Sequence, residues 1–84
     1  MKKITIYTGP MCNYCEAAKR LLKRNNAPYE EIDVAKVVGA KDEMIQKANG
    51  KRTIPQIFFD DQHIGGYDEV RALEKENKLK DLLK

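Results

Sequence analysis

Apolar and polar residues alternate through Lys3-Ile4-Thr5-Ile6-Tyr7-Thr8. This is the two-residue period of a strand, and the β-branched residues in it favour the same conformation. Gly9-Pro10 ends the run. The period then lengthens. From about Asn13 to Asn25, the residues Ala18, Leu21, Leu22 and Asn25 fall on one helical face, with strong helix formers between them. Asn25-Asn26-Ala27-Pro28 stops that helix. Tyr29 to Val34 reads as a second strand in spite of its acidic residues. Lys41, Met44, Ile45 and Ala48 share the face of a second helix, closed by Asn49-Gly50. Gln56-Ile57-Phe58-Phe59 and the shorter Gln62-His63-Ile64 read as two strands, and Asp60-Asp61 between them suits a tight hairpin. After Gly65-Gly66, the positions Val70, Leu73 and Asn77 carry a third helix into a final apolar group, Leu79, Leu82 and Leu83.

The order is strand, helix, strand, helix, hairpin, helix. A right-handed crossover makes the first two strands parallel, and the hairpin adds two mutually antiparallel strands. The expectation is an α/β fold with a four-stranded mixed sheet flanked by three helices. Phe58 and Phe59 should divide between the two faces of that sheet. At 84 residues the chain should form one domain, residues 1–84, with no room for a second core.

Composition narrows the function classes. Sixteen basic and 13 acidic residues are mixed along the chain for a net charge of +3, which argues against a nucleic-acid arm or an acidic tail. Such a balance favours anionic small molecules without requiring a polymer partner. No apolar run approaches the ~18 residues of a membrane span, and the opening Met1-Lys2-Lys3 leads into a strand pattern rather than a secretory leader. A cytoplasmic protein is expected, with no membrane and no nucleic acid among its partners. Lys75, Lys78, Lys80 and Lys84 read as a solvated helical face, and Met11 as a packing residue.

The two cysteines, Cys12 and Cys15, cannot supply the disulfide framework of a small secreted domain. In a reducing compartment the pair is catalytic, redox-sensing or metal-binding. A zinc site wants four ligands, and only His63 is present to join; in a strand, His63 reads as structural. Cys12-Asn13-Tyr14-Cys15 sits where the first strand gives way to the first helix. Free N–H groups and the helix dipole favour a thiolate there, so Cys12 should titrate below the ~8.5 of free cysteine. Lys19 and Arg20, deeper in the helix, are weaker contributors. Cys12 is then the exposed nucleophile and Cys15, one turn in, the resolving thiol.

Three segments together carry a family likeness. Cys12-Asn13-Tyr14-Cys15 after Tyr7-Thr8, Thr53-Ile54-Pro55-Gln56-Ile57-Phe58, and His63-Ile64-Gly65-Gly66-Tyr67-Asp68 closely resemble the glutaredoxin family over essentially the whole chain. The resemblance implies a thioredoxin fold with strand order 2-1-3-4 and a cis peptide bond at Pro55. It implies a dithiol enzyme that uses glutathione to reduce protein disulfides and glutathione mixed disulfides, as a monomer with no bound cofactor. Among protein partners it suggests ribonucleotide reductase. The glutathione site it implies comprises Tyr14, Thr53, Ile54, Pro55, Gly66, Tyr67 and Asp68. In it the Ile54 main chain pairs with the cysteinyl unit, and the N–H groups of Tyr67 and Asp68 meet the γ-glutamyl carboxylate. Asp68 also suits the role of helix N-cap.

Two positions depart from the family pattern. Many glutaredoxins carry lysine three residues before the first cysteine, where this chain has Gly9; Lys41, or else Arg52, is then the candidate for the glycyl carboxylate. Proline commonly follows the first cysteine, where this chain has Asn13 with its additional N–H. In similar proteins lacking that proline, two subunits share a [2Fe–2S] cluster through each first cysteine and a glutathione thiol, which is the alternative function. A third reading is a redoxin served by thioredoxin reductase.

Overall fold

The computed structural model describes residues 1–84, and its architecture follows from the burial of one strand. Strand β1 (Ile4–Thr8) has Ile4 and Ile6 pointing to one face and Tyr7 to the other, all buried. A strand buried on both faces needs neighbours on both edges and helices above and below. Strand β2 (Tyr29–Asp33) pairs parallel to it on one edge. Strand β3 (Gln56–Phe59) pairs antiparallel on the other edge, and β4 (Gln62–Gly65) pairs antiparallel with β3. The order is β2-β1-β3-β4, as the family likeness implied, and the sheet is mixed, as the order of elements implied.

Helices cover both faces. Helix α1 (Asn13–Arg24) contributes Ala18, Leu21 and Leu22 to the main core beside Ile4, Ile6, Ile57, Phe59 and Val70. Helix α2 (Ala40–Lys47) closes the other face, where Met44 and Ala48 pack with Tyr7 and Phe58. The two phenylalanines thus divide between the faces as their alternation requires. Lys41 is exposed, whereas Met44 and Ala48 on the same helix are buried. The Tyr7 hydroxyl donates to Glu43 Oε1 at 2.6 Å, tying α2 to the central strand. Burial, reinforced by that carboxylate, pushes the Tyr7 phenol well above its ordinary range.

One expectation needs correction. The last helix is not continuous: α3 (Tyr67–Lys75) and α4 (Leu79–Leu83) are separate, so four helices rather than three flank the sheet. Asn77 breaks the pattern by adopting φ 59°, which its short polar side chain tolerates. Lys78 N–H then closes on Leu73 O at 2.9 Å. The redirected chain brings Leu79 and Leu83 back onto the main core. Lys2 N–H donates to Leu83 O at 2.7 Å and fastens the two chain ends.

The end of α1 is held to α3 by a carboxylate. Glu74 accepts from Arg24 Nε and Nη2 at 2.9 and 2.7 Å, and from Asn25 Nδ2 at 2.7 Å. The two-pronged Arg24 contact, with Asn25 adding to it, holds the Glu74 carboxyl down to about 2. Unfolding returns this carboxyl to about 4.3, so below that value the unfolded chain binds a proton that the folded one refuses. The contribution is whole above about pH 5 and is lost as pH falls toward 2. Replacing Glu74 with Gln should lower stability in urea titrations by about 1 kcal/mol at pH 7, the size of one half-exposed charged network. The difference from the parent should close between pH 5 and pH 2; a difference that stays constant across that range contradicts the assignment.

Candidate active site at the Cys12–Cys15 pair

Parallel pairing of β1 and β2 puts their carboxyl ends at one end of the sheet, and β1 opens there into the loop bearing the cysteines. Met11 takes φ 53° and is fully exposed, which turns the chain into the N-cap position at Cys12. Cys12 is extended, at φ −116° and ψ 100°, and its Sγ accepts from Cys15 N–H at 3.1 Å. A sulfur therefore fills the role that a hydroxyl or carboxylate oxygen fills at most helix starts. The backbone N–H groups of Asn13 and Tyr14 have no protein acceptor. Cys12 and Cys15 are joined as a disulfide; Cys12 is partly exposed and Cys15 is wholly buried. Cys12 is thus the more accessible of the two sulfurs, as its place at the helix mouth predicts.

Lys19 is engaged by carboxylates. Its ammonium contacts Glu16 at 2.7 Å and Glu31 at 3.2 Å, and Glu16 foremost holds its proton above the ordinary lysine range. Glu31 also accepts from the Thr8 hydroxyl at 2.7 Å, which holds that carboxyl below its usual range.

Beside Cys12 lies an open cleft of about 220 Å³. Tyr14 from α1 forms one wall and Thr53, Ile54 and Pro55 form the floor. Gly66, Tyr67, Asp68 and Glu69, at the start of α3, form the far side. Of the glutathione-site candidates named from sequence, Tyr14, Thr53, Ile54, Pro55, Gly66, Tyr67 and Asp68 line this one cleft, whereas Lys41 and Arg52 do not. The Ile54–Pro55 bond is cis, and Ile54 O lies 3.9 Å from Cys12 Sγ. The Ile54 N–H has no partner in the protein, so the edge is an unfilled strand position. Tyr14 and Tyr67 meet with ring centroids 5.8 Å apart, closing the cleft between α1 and α3.

Glycine is required on the far side. A register shift within the β3–β4 ladder inserts an additional residue into β4 just before Gly65-Gly66, and Gly66 lines the cleft. Gly65 has φ 129°, and a Cβ there would lie 2.4 Å from Glu69 Oε1. A Cβ on Gly66 would approach Pro55 O at 3.2 Å. Gly9 is a different case: a Cβ there would lie 2.7 Å from Ile54 Cδ1, so the Ile54 side chain occupies the space a longer residue would need.

Glu69 was missed in the sequence. Its Oε1 accepts from Gly66 N–H at 2.7 Å, capping α3 from the third helical position. The signal was the spacing from Gly66 to Glu69, half of a capping box with glycine in place of the hydroxyl residue. Tyr67 and Asp68 keep unpaired N–H groups at the same helix start.

The chain matches known proteins along its length. The family model described as Glutaredoxin matches residues 4–64. The chain belongs to the glutaredoxin family. It is 48% identical over 81 residues to glutaredoxin 1 of Rickettsia prowazekii (strain Madrid E), covering 95% of this chain and 85% of that one. To glutaredoxin 3 of Escherichia coli (strain K12) it is 42% identical over the whole of both chains. The solution structure of glutaredoxin from Brucella melitensis superposes with a TM-score of 0.85 at 45% identity, covering 100% of this chain and 90% of that one. A buckwheat glutaredoxin solved as its glutathione complex gives a TM-score of 0.87 at 27% identity, covering 98% and 76%. The fold is therefore the thioredoxin fold of glutaredoxins, and the Cys12–Cys15 pair makes this glutaredoxin a thiol–disulfide oxidoreductase.

Placing a methyl group at Gly65 should strain φ and displace Glu69 from its cap together. Gly65→Ala should cost about 2 kcal/mol by urea unfolding. A cost below about 0.5 kcal/mol, the range of an ordinary surface change, contradicts this account.

Proposed function

We propose that the protein reduces protein disulfides and glutathione mixed disulfides, with glutathione as its reductant. The family uses glutathione as co-substrate, and the cleft beside Cys12 supports the same ligand here. One observation carries the reading: an unpaired strand edge at Ile54 and a helix start with free N–H groups at Tyr67 and Asp68 face one cleft next to the partly exposed sulfur. The cysteinyl unit of glutathione pairs with the Ile54 edge as one strand residue would. The γ-glutamyl carboxylate meets the N–H groups opening α3, and the Asp68 carboxylate takes the ammonium. Arg52, exposed and adjacent to Thr53, and Lys41, exposed at the start of α2, are the cations available to the glycyl carboxylate.

The chemistry follows from the two sulfurs. The Cys12 thiolate attacks the glutathione sulfur of a mixed disulfide; a new S–S bond forms and the protein substrate leaves as thiolate and takes a proton. A second glutathione thiolate then attacks the glutathione sulfur on Cys12, releasing glutathione disulfide and restoring Cys12. For a protein disulfide, Cys12 attacks one sulfur and Cys15 attacks Cys12 Sγ, freeing the reduced substrate and leaving the Cys12–Cys15 disulfide. Two glutathione molecules reduce that disulfide and leave as glutathione disulfide. The N-cap site and the free N–H groups of Asn13 and Tyr14 favour the Cys12 thiolate throughout.

The free Asn13 N–H, where proline would have none, favours a second reading as a carrier of a shared [2Fe–2S] cluster. One chain offers a single accessible sulfur, since Cys15 is buried, so the cluster would need Cys12 from two copies and two glutathione thiols. Anaerobic reconstitution with iron, sulfide and glutathione yields a coloured dimer under this reading, and a colourless monomer removes it.

Turnover of a glutathionylated peptide with glutathione and a coupled reductase tests the main proposal. Cys12→Ser should show no turnover above the uncatalysed rate. Cys15→Ser should still reduce the glutathionylated peptide but lose reduction of protein disulfides. Asp68→Asn should raise KM for the glutathionylated peptide about tenfold, the cost of one charge-assisted hydrogen bond. Equal activity toward peptides carrying glutathione and peptides carrying a simple thiol such as 2-mercaptoethanol overturns the glutathione assignment.

A further inference from the structure

Gln56 follows Pro55 directly and is 2% exposed, yet its side chain lies outside the chemistry described so far. Its amide is used at both ends. Nε2 donates to Thr53 O at 3.0 Å and to Thr53 Oγ1 at 3.1 Å, while Oε1 faces His63 Nε2 at 2.7 Å. Thr53 O can only accept, so the amide nitrogen must point at it and the amide oxygen at His63. His63 Nε2 must then carry a hydrogen and donate. The imidazole is itself fixed, since its ring packs on Phe58 at a centroid distance of 5.0 Å. Burial, with Lys51 nearby, keeps the ring in its neutral form over a wider range than free histidine, and Nε2–H donates in either form.

This chain of contacts runs from β4 across β3 to the residue that precedes the Ile54 edge. Thr53 is held from beneath through both its carbonyl and its hydroxyl, while Ile54 N–H is left free. Without the contacts, the Thr53-Ile54 segment has no other hydrogen bond to the sheet before β3 begins.

We propose that Gln56, oriented by His63, is a positioning residue that fixes the Thr53-Ile54 edge at the geometry in which it receives the substrate's backbone beside Cys12. The inference rests on the reading of that edge as the glutathione cysteinyl site. It acts on an edge that is organised before substrate arrives, so binding avoids the cost of ordering it.

The test uses the full chain with three substitutions, Gln56→Leu, His63→Leu and His63→Gln. Gln56→Leu and His63→Leu should raise KM for a glutathionylated peptide about fivefold, the effect of one neutral hydrogen bond, with kcat unchanged. Reduction of the Cys12–Cys15 disulfide by dithiothreitol, which needs no backbone pairing, should keep its parent rate. His63→Gln retains an N–H donor toward Gln56 and should restore KM to near the parent value. The NMR order parameter of the Ile54 amide should fall from about 0.85 toward 0.6 in the two leucine variants and recover in His63→Gln. An Ile54 amide equally rigid in all four proteins overturns the positioning role, whatever the substrate. A parent enzyme indifferent to glutathione would instead remove the proposed function, and the amide measurement would still decide this one. If the leucine variants fail to fold, Gln56→Glu, which keeps the acceptor toward His63 but loses the donor to Thr53, should loosen the Ile54 amide in the same way, and an amide as rigid as the parent's overturns the proposal.

Discussion

Strand β1 is paired on both edges and buried on both faces, and every other element takes its place from that condition. Its alternation of Ile4 and Ile6 against Tyr7 fixes which helices lie on which side. Its parallel neighbour β2 requires a crossover, and that crossover is α1, the helix the cysteines begin. Its antiparallel neighbour β3 starts at Gln56, immediately after the cis Ile54–Pro55 bond. One strand thus brings the Cys12 loop and the Ile54 edge to the same end of the sheet, 42 residues apart in sequence and in contact in space.

The elements that proved readable are those where a single period decides the matter. Ala18, Leu21 and Leu22 lie on the buried stripe of α1, and Ile57 and Phe59 alternate with Phe58 across β3, as a count of positions requires. The α3–α4 break was not readable in the same way. Val70, Leu73 and Asn77 fit one helical face, and the apolar spacing conceals that Asn77 enters the left-handed region and ends the helix. Residue types carried the site in part. Cysteines, glycines and an aspartate next to a predicted helix start announce themselves, and Tyr14, Thr53, Ile54, Pro55, Gly66, Tyr67 and Asp68 do line one cleft. Glu69 left only half of a capping box, with glycine in place of the hydroxyl residue, and the Gln56–His63 pair left no trace, because its hydrogen bond crosses strands and no local pattern encodes it. Lys41 shows the converse: its helical spacing was right, yet it lies exposed and outside the cleft.

Two glycines illustrate how backbone demands and side-chain demands meet. At Gly65 the positive φ and the crowding from Glu69 coincide, so the same absence of a Cβ permits the bulge and the helix cap. At Gly9 the backbone makes no such demand, and the close neighbour is the tip of the Ile54 side chain. The first glycine is required by the fold, whereas the second is coupled to the identity of the side chain facing it.

Lys19 is the nearest cation within α1 on the turn after Cys15, yet Glu16 and Glu31 hold its ammonium. The group in contact with Cys12 Sγ is a peptide N–H at very short range rather than the Lys19 ammonium. Mobile ions weaken interactions across a Debye length of ~8 Å at physiological ionic strength and scarcely touch contacts of ~3 Å. Whatever stabilisation of this sulfur comes from peptide N–H groups at such range is insulated from the salt content of its surroundings, because those groups carry no net charge and do not titrate.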